Sequence, residues 1–323
     1  MCTAVTFKTK DHYFGRNLDL EYSLGEAVTI TPRSFPFMFQ CEKPMMRHYA
    51  MIGIAINENN YPLYYDAANE TGLAMAGLNF PGNAVYHDPK PSMHNVTPFE
   101  FIPWILGQCK TVDDARELLK NANIVNIPFS KDFPLSPLHW IIADANGCLT
   151  VESVAEGLKV YDNPVGVLTN NPPFEYHLQH LSEFLNLTPN EPENRFSNHI
   201  ELAPYSRGMG ALGLPGDLSS SSRFVRAAFT KLNSVCQPEE QSGISQFFHI
   251  LDSVAQTKGC VQAGSKFEQT VYSSCCNTDK GIYYYTTYEN RQITGVDMHK
   301  EDLNGSAFKI YPLIWDQQIE MIN

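Results

Sequence analysis

Residues 2–8 (CTAVTFK) and 12–20 (HYFGRNLDL) alternate apolar and polar positions around a polar break at 9–11, which predicts two antiparallel strands. The pattern continues at 27–33, 49–56, 62–68 and 72–80, with turn residues between them at 57–60 and 70–72. The spacing then changes and predicts two helices. The first covers 98–109, with Pro98 in the first turn. The second covers 111–122, opening on Thr111 with Asp114 three residues on, a variant of the capping box. Val112, Ala115, Leu118 and Leu119 share one face of it. Strands return at 138–145 and 148–154 around Asn146–Gly147, a strong hairpin signal, and at 158–162 and 166–170. Helical periodicity follows at 224–235 and 244–255, then strands at 270–276, 281–289 and 307–312. Two groups of strands, each followed by helices, predict an α+β fold of layered sheets in one domain over 1–323. Periodicity leaves the strand order open.

Composition narrows the class. The formal net charge of −12 argues against nucleic acid or an anionic membrane as partner, since both require a basic face. No apolar run reaches 18 residues, so no membrane anchor is expected, and MCTAVTFKTK has no secretory-signal pattern. The 8 cysteines are too sparse for a disulfide scaffold and lack zinc spacing, so they read as reduced thiols of a cytoplasmic protein. The vicinal pair Cys275–Cys276 reads as strand packing.

Cys2 carries the sharpest chemical signal. Excision of Met1 would leave one residue bearing both a thiol and a free α-amine. A thiol attacks as its thiolate, and an amine with a pKa of about 7.7–8.0 is a suitable base for it. If 2–8 and 12–18 form a hairpin, Arg16 and Asp19 return beside Cys2. A guanidinium there would stabilise the thiolate, and a carboxylate would orient the amine; the plainer alternative is a surface pair worth under about 1 kcal/mol. Asn79, Asn170 and Asn171 each follow an apolar strand, where an amide suits either an oxyanion or ordinary turn chemistry. The segment 211–224 lacks phosphate-loop spacing and reads as a loop entering a helix capped by one of Ser219–Ser222, with Arg223 in its first turn. His177 and His180 stand i,i+3 on a helix without a third metal ligand and read as an exposed face.

Taken together, the chain resembles the choloylglycine hydrolase family of N-terminal nucleophile hydrolases over essentially its whole length. The resemblance rests on MCTAVTF, FGRNLDLEYS, NYPLYYDAANETGLAMAGLNFPG, LHWIIAD, VGVLTNNPPF, GLPGDLSSSSRFVR and GIYYYTTYENRQI, in that order. Within the family it is most similar to bile salt hydrolases of Gram-positive gut bacteria. The resemblance implies a four-layer αββα sandwich, usually assembled as a homotetramer, with no metal or cofactor. It implies that Cys2 is the nucleophile and its amine the base, with Arg16 beside the thiol and Asp19 holding the amine. Asn79 and Asn170 would serve the oxyanion and substrate placement, and Arg223 would complete the network. The substrates would be bile salts conjugated to glycine or taurine, with Leu20, Phe129 and Phe133 in the pocket walls. Two alternatives remain at this point: a penicillin V acylase using the same site, and a non-catalytic amphiphile-binding protein.

Overall fold

Two antiparallel sheets lie face to face, and helices cover the outer side of each. The computed structural model describes residues 1–131 and 133–323. The chain begins with β1 (Cys2–Lys8), β2 (His12–Leu20), β3 (Ala27–Thr31), β4 (Met51–Glu58), β5 (Tyr61–Asn69) and β6 (Ala74–Asn79). After β7 (His94–Val96) come α1 (Phe101–Gln108), α2 (Val112–Leu119) and β8 (Ala122–Ile124). Then follow β9 (Leu138–Ala143), β10 (Cys148–Val154), β11 (Gly157–Asp162) and β12 (Val167–Leu168). α3 (Phe174–His180), α4 (Ser220–Asn233) and α5 (Glu240–Asp252) precede the short strands β13 (Gln262–Ala263) and β14 (Lys266–Phe267). The last strands are β15 (Gln269–Asn277), β16 (Ile282–Thr287), β17 (Thr294–Asp297) and β18 (Lys309–Pro312).

One sheet runs β12-β1-β2-β15-β16-β17 and the other β11-β10-β9-β6-β5-β4-β3-β18. α4 and α5 pack on β1, β2 and β15, and α1 packs on β5 and β6. The layers are therefore αββα, as the resemblance implies. Strand alternation sorts the side chains between layers. Cys2, Ala4, Phe14 and Leu18 meet Ile52, Ile54, Ala76, Leu78 and Ile141 between the sheets. Met75, Trp140, Ile142 and Val151 point the other way, onto Phe101, Ile105 and Leu106 of α1. Gly15 lets β2 and β15 approach beside Arg16: a Cβ there would lie 1.9 Å from the Ser274 carbonyl oxygen.

Several element boundaries differ from expectation by a few residues, α5 for instance running Glu240–Asp252 rather than 244–255, and two of the shifts have a local reason. α1 starts at Phe101 rather than at 98, because 97–100 form a turn in which the Thr97 hydroxyl donates to Glu100 Oε2 at 2.7 Å. β12 is only two residues long rather than spanning 166–170, because the carbonyls of Thr169 and Asn170 accept from histidine side chains instead of from a neighbouring strand. Capping matches the sequence closely. Thr111 and Asp114 form the box at α2, and Ser219 accepts from the Ser222 amide at α4. Cys275 and Cys276 are buried strand residues. β7, β8, β13, β14 and β17 are too short for periodicity to have marked them.

Candidate active site

β1 and β2 pair with Cys2 opposite Leu18 and Ala4 opposite Arg16. Alternation therefore puts the Cys2 and Arg16 side chains on the face toward the second sheet. Thr3 and Asp19 lie on the face toward α4. The site is thus built through the end of the sheet rather than on one side of it. Cys2, Arg16, Asp19 and Arg223 are all buried, the last three at 0% exposure.

In this structure Met1 is in place, and its α-ammonium donates to the Asp19 carbonyl at 2.6 Å and to Glu268 Oε1 at 3.1 Å. The Asp19 amide donates back to the Met1 carbonyl at 2.9 Å. The Cys2 nitrogen donates to Asn170 Oδ1 at 2.9 Å. Arg223, one turn into α4, reaches the same oxygen with Nη2 at 2.7 Å. Its Nη1 meets the Cys2 carbonyl and Thr3 Oγ1, each at 2.6 Å, and its Nε meets the Leu218 carbonyl at 3.0 Å. Asn170 Nδ2 donates to the Asn79 carbonyl at 2.7 Å, which ties β6 to the segment after β12. The Asn79 side chain is exposed at the end of β6. Arg16 Nη1 caps the carbonyls of Gly77, at 2.5 Å, and Tyr65, at 3.1 Å, while its buried Nη2 has no partner among the described residues.

The charges balance each other out of water. Burial pushes the Asp19 carboxyl upward, opposed by Arg223, by the N-terminal ammonium and by the Thr270 hydroxyl, which donates to Oδ1 at 2.6 Å. Burial pulls Arg223 down, opposed by Asp19 and Cys2. Burial also acts to lower Arg16, but the fields of Cys2, Tyr272, Asp66 and Asp19 outweigh it and raise the guanidinium above its ordinary value. Asp66, buried between the sheets, is itself pushed up by burial and steadied by Arg16 and by hydrogen bonds from Tyr283, Tyr272 and Ser274. A carboxylate paired in this way is tolerable inside a protein because its partners replace water.

A mostly apolar cleft with about 180 Å³ of room adjoins this cluster. Phe129 and Phe133 line it, with Leu63, Tyr65, Gly77 and Trp140. Tyr65 and Gly77 are the residues whose carbonyls hold Arg16, so the cleft opens beside the buried guanidinium. Leu20 is half-buried at the end of β2, packs against the inter-sheet core and is not among the described lining residues.

The five residues singled out around Cys2 thus come together with it, Asn79 through its backbone carbonyl, and several more join them. Glu268, Thr270 and Thr3 have no local sequence mark, and Ser220 was marked only as one of four cap candidates. His177 corrects the sequence reading: it is 0% exposed, not part of an exposed face, and its Nε2 lies 3.0 Å from the Asn170 carbonyl. The i,i+3 spacing separated its helix face from that of His180 too little to decide which was buried. Among the described residues, no group of three His, Cys, Asp or Glu side chains gathers at metal-binding spacing.

Facing sheets that bury a thiol at the second residue define the N-terminal nucleophile architecture. Residues 2–311 match the group described as linear amide C–N hydrolases, choloylglycine hydrolase family. The chain belongs to that family. It is 53% identical to a bile salt hydrolase/transferase of Lactiplantibacillus plantarum over 100% of both chains. The C2A variant of the Clostridium perfringens conjugated bile acid hydrolase superposes with a TM-score of 0.92 at 37% identity, over 100% of both chains. A penicillin V acylase of Agrobacterium tumefaciens shares the fold, with a TM-score of 0.74 at 19% identity over 96% of this chain and 90% of its own. Among the described residues, no helix is long and apolar enough to cross a membrane.

Proposed function

We propose that this chain hydrolyses the amide bond of bile acids conjugated to glycine or taurine, through a thioester on Cys2. The observation that carries the proposal is the Cys2 nitrogen on Asn170 Oδ1 at 2.9 Å, an oxygen that Arg223 also holds. Removal of Met1 converts that nitrogen into a primary amine on the same residue as the thiol, held by Asn170 Oδ1. The amine takes the thiol proton, and the thiolate attacks the amide carbon. Asn170 Nδ2 has a second proton beyond the one given to the Asn79 carbonyl, and the Asn79 side chain is exposed at the end of β6; both amides serve the oxyanion. The protonated amine then gives its proton to the leaving nitrogen, releasing glycine or taurine. Water, deprotonated by the same amine, cleaves the thioester to free bile acid and regenerate the thiol. Arg16 supplies positive charge beside the sulfur, and the Asp19 carboxylate balances Arg223 and the terminal amine. The apolar cleft with Phe129 and Phe133 receives the steroid face. A homotetramer in the cytoplasm completes the proposal, on the strength of the family resemblance.

The test compares release of glycine or taurine from glycocholate and taurocholate with turnover of penicillin V, using protein with and without Met1. Rapid release from the conjugates by the Met1-free form, and at least 100-fold slower release when Met1 is retained, is the expected result, since general acid–base catalysis contributes about 10²–10⁴-fold. Preferential penicillin V turnover would replace the substrate assignment. Undiminished release by Cys2→Ala would refute the nucleophile.

A further inference from the structure

His139 and Glu152 are cross-strand neighbours on β9 and β10, both buried and both on the face toward the other sheet. His139 Nδ1 lies 3.2 Å from Glu152 Oε1, and its Nε2 lies 2.9 Å from the Thr169 carbonyl. A carbonyl only accepts, so Nε2 carries the proton it donates, and Nδ1 faces the Glu152 carboxylate oxygen. The ring stacks on Phe80 with centroids 4.3 Å apart and planes 7° apart, which fixes its orientation next to the end of β6. Glu152 Oε1 also accepts from the Phe174 amide at 3.0 Å, where α3 begins. That helix carries His177, whose Nε2 must donate to the Asn170 carbonyl at 3.0 Å. Ser220 adds two further contacts to this segment: its hydroxyl donates to Thr169 Oγ1 at 3.0 Å and accepts from the Asn170 amide at 2.8 Å.

We infer that His139, Glu152 and His177 form a clamp that positions Asn170, and through it the Cys2 nitrogen. The inference rests on the proposed role of Asn170. The clamp crosses from the eight-stranded sheet to the end of β12 at the edge of the six-stranded one, and it holds two successive carbonyls that no strand partner occupies. None of the three side chains reaches the thiol by a hydrogen bond, so they are positioning residues and not catalytic ones. Their effect is on the chemical step. An amide held within a few tenths of an ångström of its place serves the oxyanion and the amine, whereas one released by a turn of Thr169 serves neither.

The test uses Met1-free protein as wild type, His139→Phe and His139→Gln. Phe keeps the stack on Phe80 and removes both ring nitrogens. Gln can place its amide nitrogen where Nε2 stood and donate to Thr169. For His139→Phe we expect kcat on glycocholate to fall at least tenfold with KM within threefold, and for His139→Gln kcat within threefold of wild type. A His139→Phe kcat within twofold of wild type would overturn the clamp, as would a Gln variant no better than Phe. Should His139→Phe fail to fold, the pair His177→Phe and His177→Gln is read by the same criteria. A second readout needs no substrate: the rate at which iodoacetamide alkylates Cys2. It should change at least threefold in His139→Phe and return in His139→Gln; an unchanged rate counts against the clamp even if the bile-salt assignment stands. Wild-type protein that turns over no conjugate but shows the alkylation pattern would leave the clamp in place and refute the substrate alone.

Discussion

Arg223 is the residue whose loss is most informative, because it joins stability to chemistry. Arg223→Met keeps much of the volume and removes every donor. Four acceptors lose a partner: the carbonyls of Cys2 and Leu218, Thr3 Oγ1 and Asn170 Oδ1. Thr3 can turn its hydroxyl elsewhere, and Asn170 Oδ1 keeps the Cys2 nitrogen. The buried Cys2 carbonyl is then left unsatisfied, at about 1–3 kcal/mol, while the part-buried Leu218 carbonyl keeps Gln256 Nε2 at 3.5 Å. Asp19 also loses the largest charge opposing its burial. Against this, methionine avoids the cost of burying a guanidinium, which is the leading influence on Arg223 itself. Breaking a buried charged network from one side typically costs about 3–5 kcal/mol, and this range is expected here. Urea unfolding followed by tryptophan fluorescence gives the stability, and conjugate turnover gives the rate. We expect kcat to fall at least 100-fold, because Asn170 and the start of β1 share this anchor. Arg223→Lys should recover part of the stability by keeping the charge opposite Asp19, yet little of the rate, since one ammonium cannot match a planar fork. A methionine variant within 1 kcal/mol of wild type and within threefold in kcat would refute the reasoning.

Acid should weaken the fold through buried histidines. Burial lowers His12 and His177 from 6.5 to about 4, so the folded state binds fewer protons than the unfolded one. Their stabilising contribution is whole above pH 6.5 and is lost as pH falls toward 4, at about 2 kcal/mol each by pH 5. Urea titrations at pH 7 and pH 5 should show His12→Gln losing about 2 kcal/mol less than wild type; identical losses would exclude His12 as a cause. In the cleft, Phe129→Ala and Phe133→Ala each remove apolar contact worth about 1.5 kcal/mol, so KM for conjugates should rise roughly tenfold. Unchanged kinetics in both variants would place the steroid elsewhere.

How much of this was legible in the chain depends on sequence distance. Cys2, Arg16 and Asp19 lie on one predicted hairpin, and its register alone brings them together. The same register implies that residues 16 and 19 take opposite faces, which explains why Arg16 contacts the second sheet while Asp19 faces α4. Asn170 and Arg223 follow a strand and open a helix respectively, but no local pattern says that a loop and a helix 53 residues apart in sequence will share one oxygen. Only the family resemblance connected them. Glu268 is farther still, 267 residues from the terminus it meets, and an acidic residue between β14 and β15 carries no mark of its partner.

His139 and Glu152 stand between these extremes. The Asn146–Gly147 turn pairs Ala143 with Cys148, and counting outward along an antiparallel hairpin pairs residue 139 with 152. The sequence therefore already places an imidazole against a carboxylate on one face of two otherwise apolar strands. A buried face that accepts such a pair must supply its remaining hydrogen bonds, because unpaired polar atoms there cost about 1–3 kcal/mol each. The carbonyl of Thr169 and the amide of Phe174 are what the fold supplies, and Glu152 Oε2 has no partner among the described residues. Polar residues at inward strand positions were thus the readable sign of the site's supporting structure. Their far partners were not readable, since those depend on how the second sheet arrives. The same logic holds for Asp66, an inward carboxylate in β5 whose tyrosine partners come from β15 and β16. In this architecture the inter-sheet layer is apolar where it needs only to cohere, and polar where it must hold one sheet's loops in register with the other's.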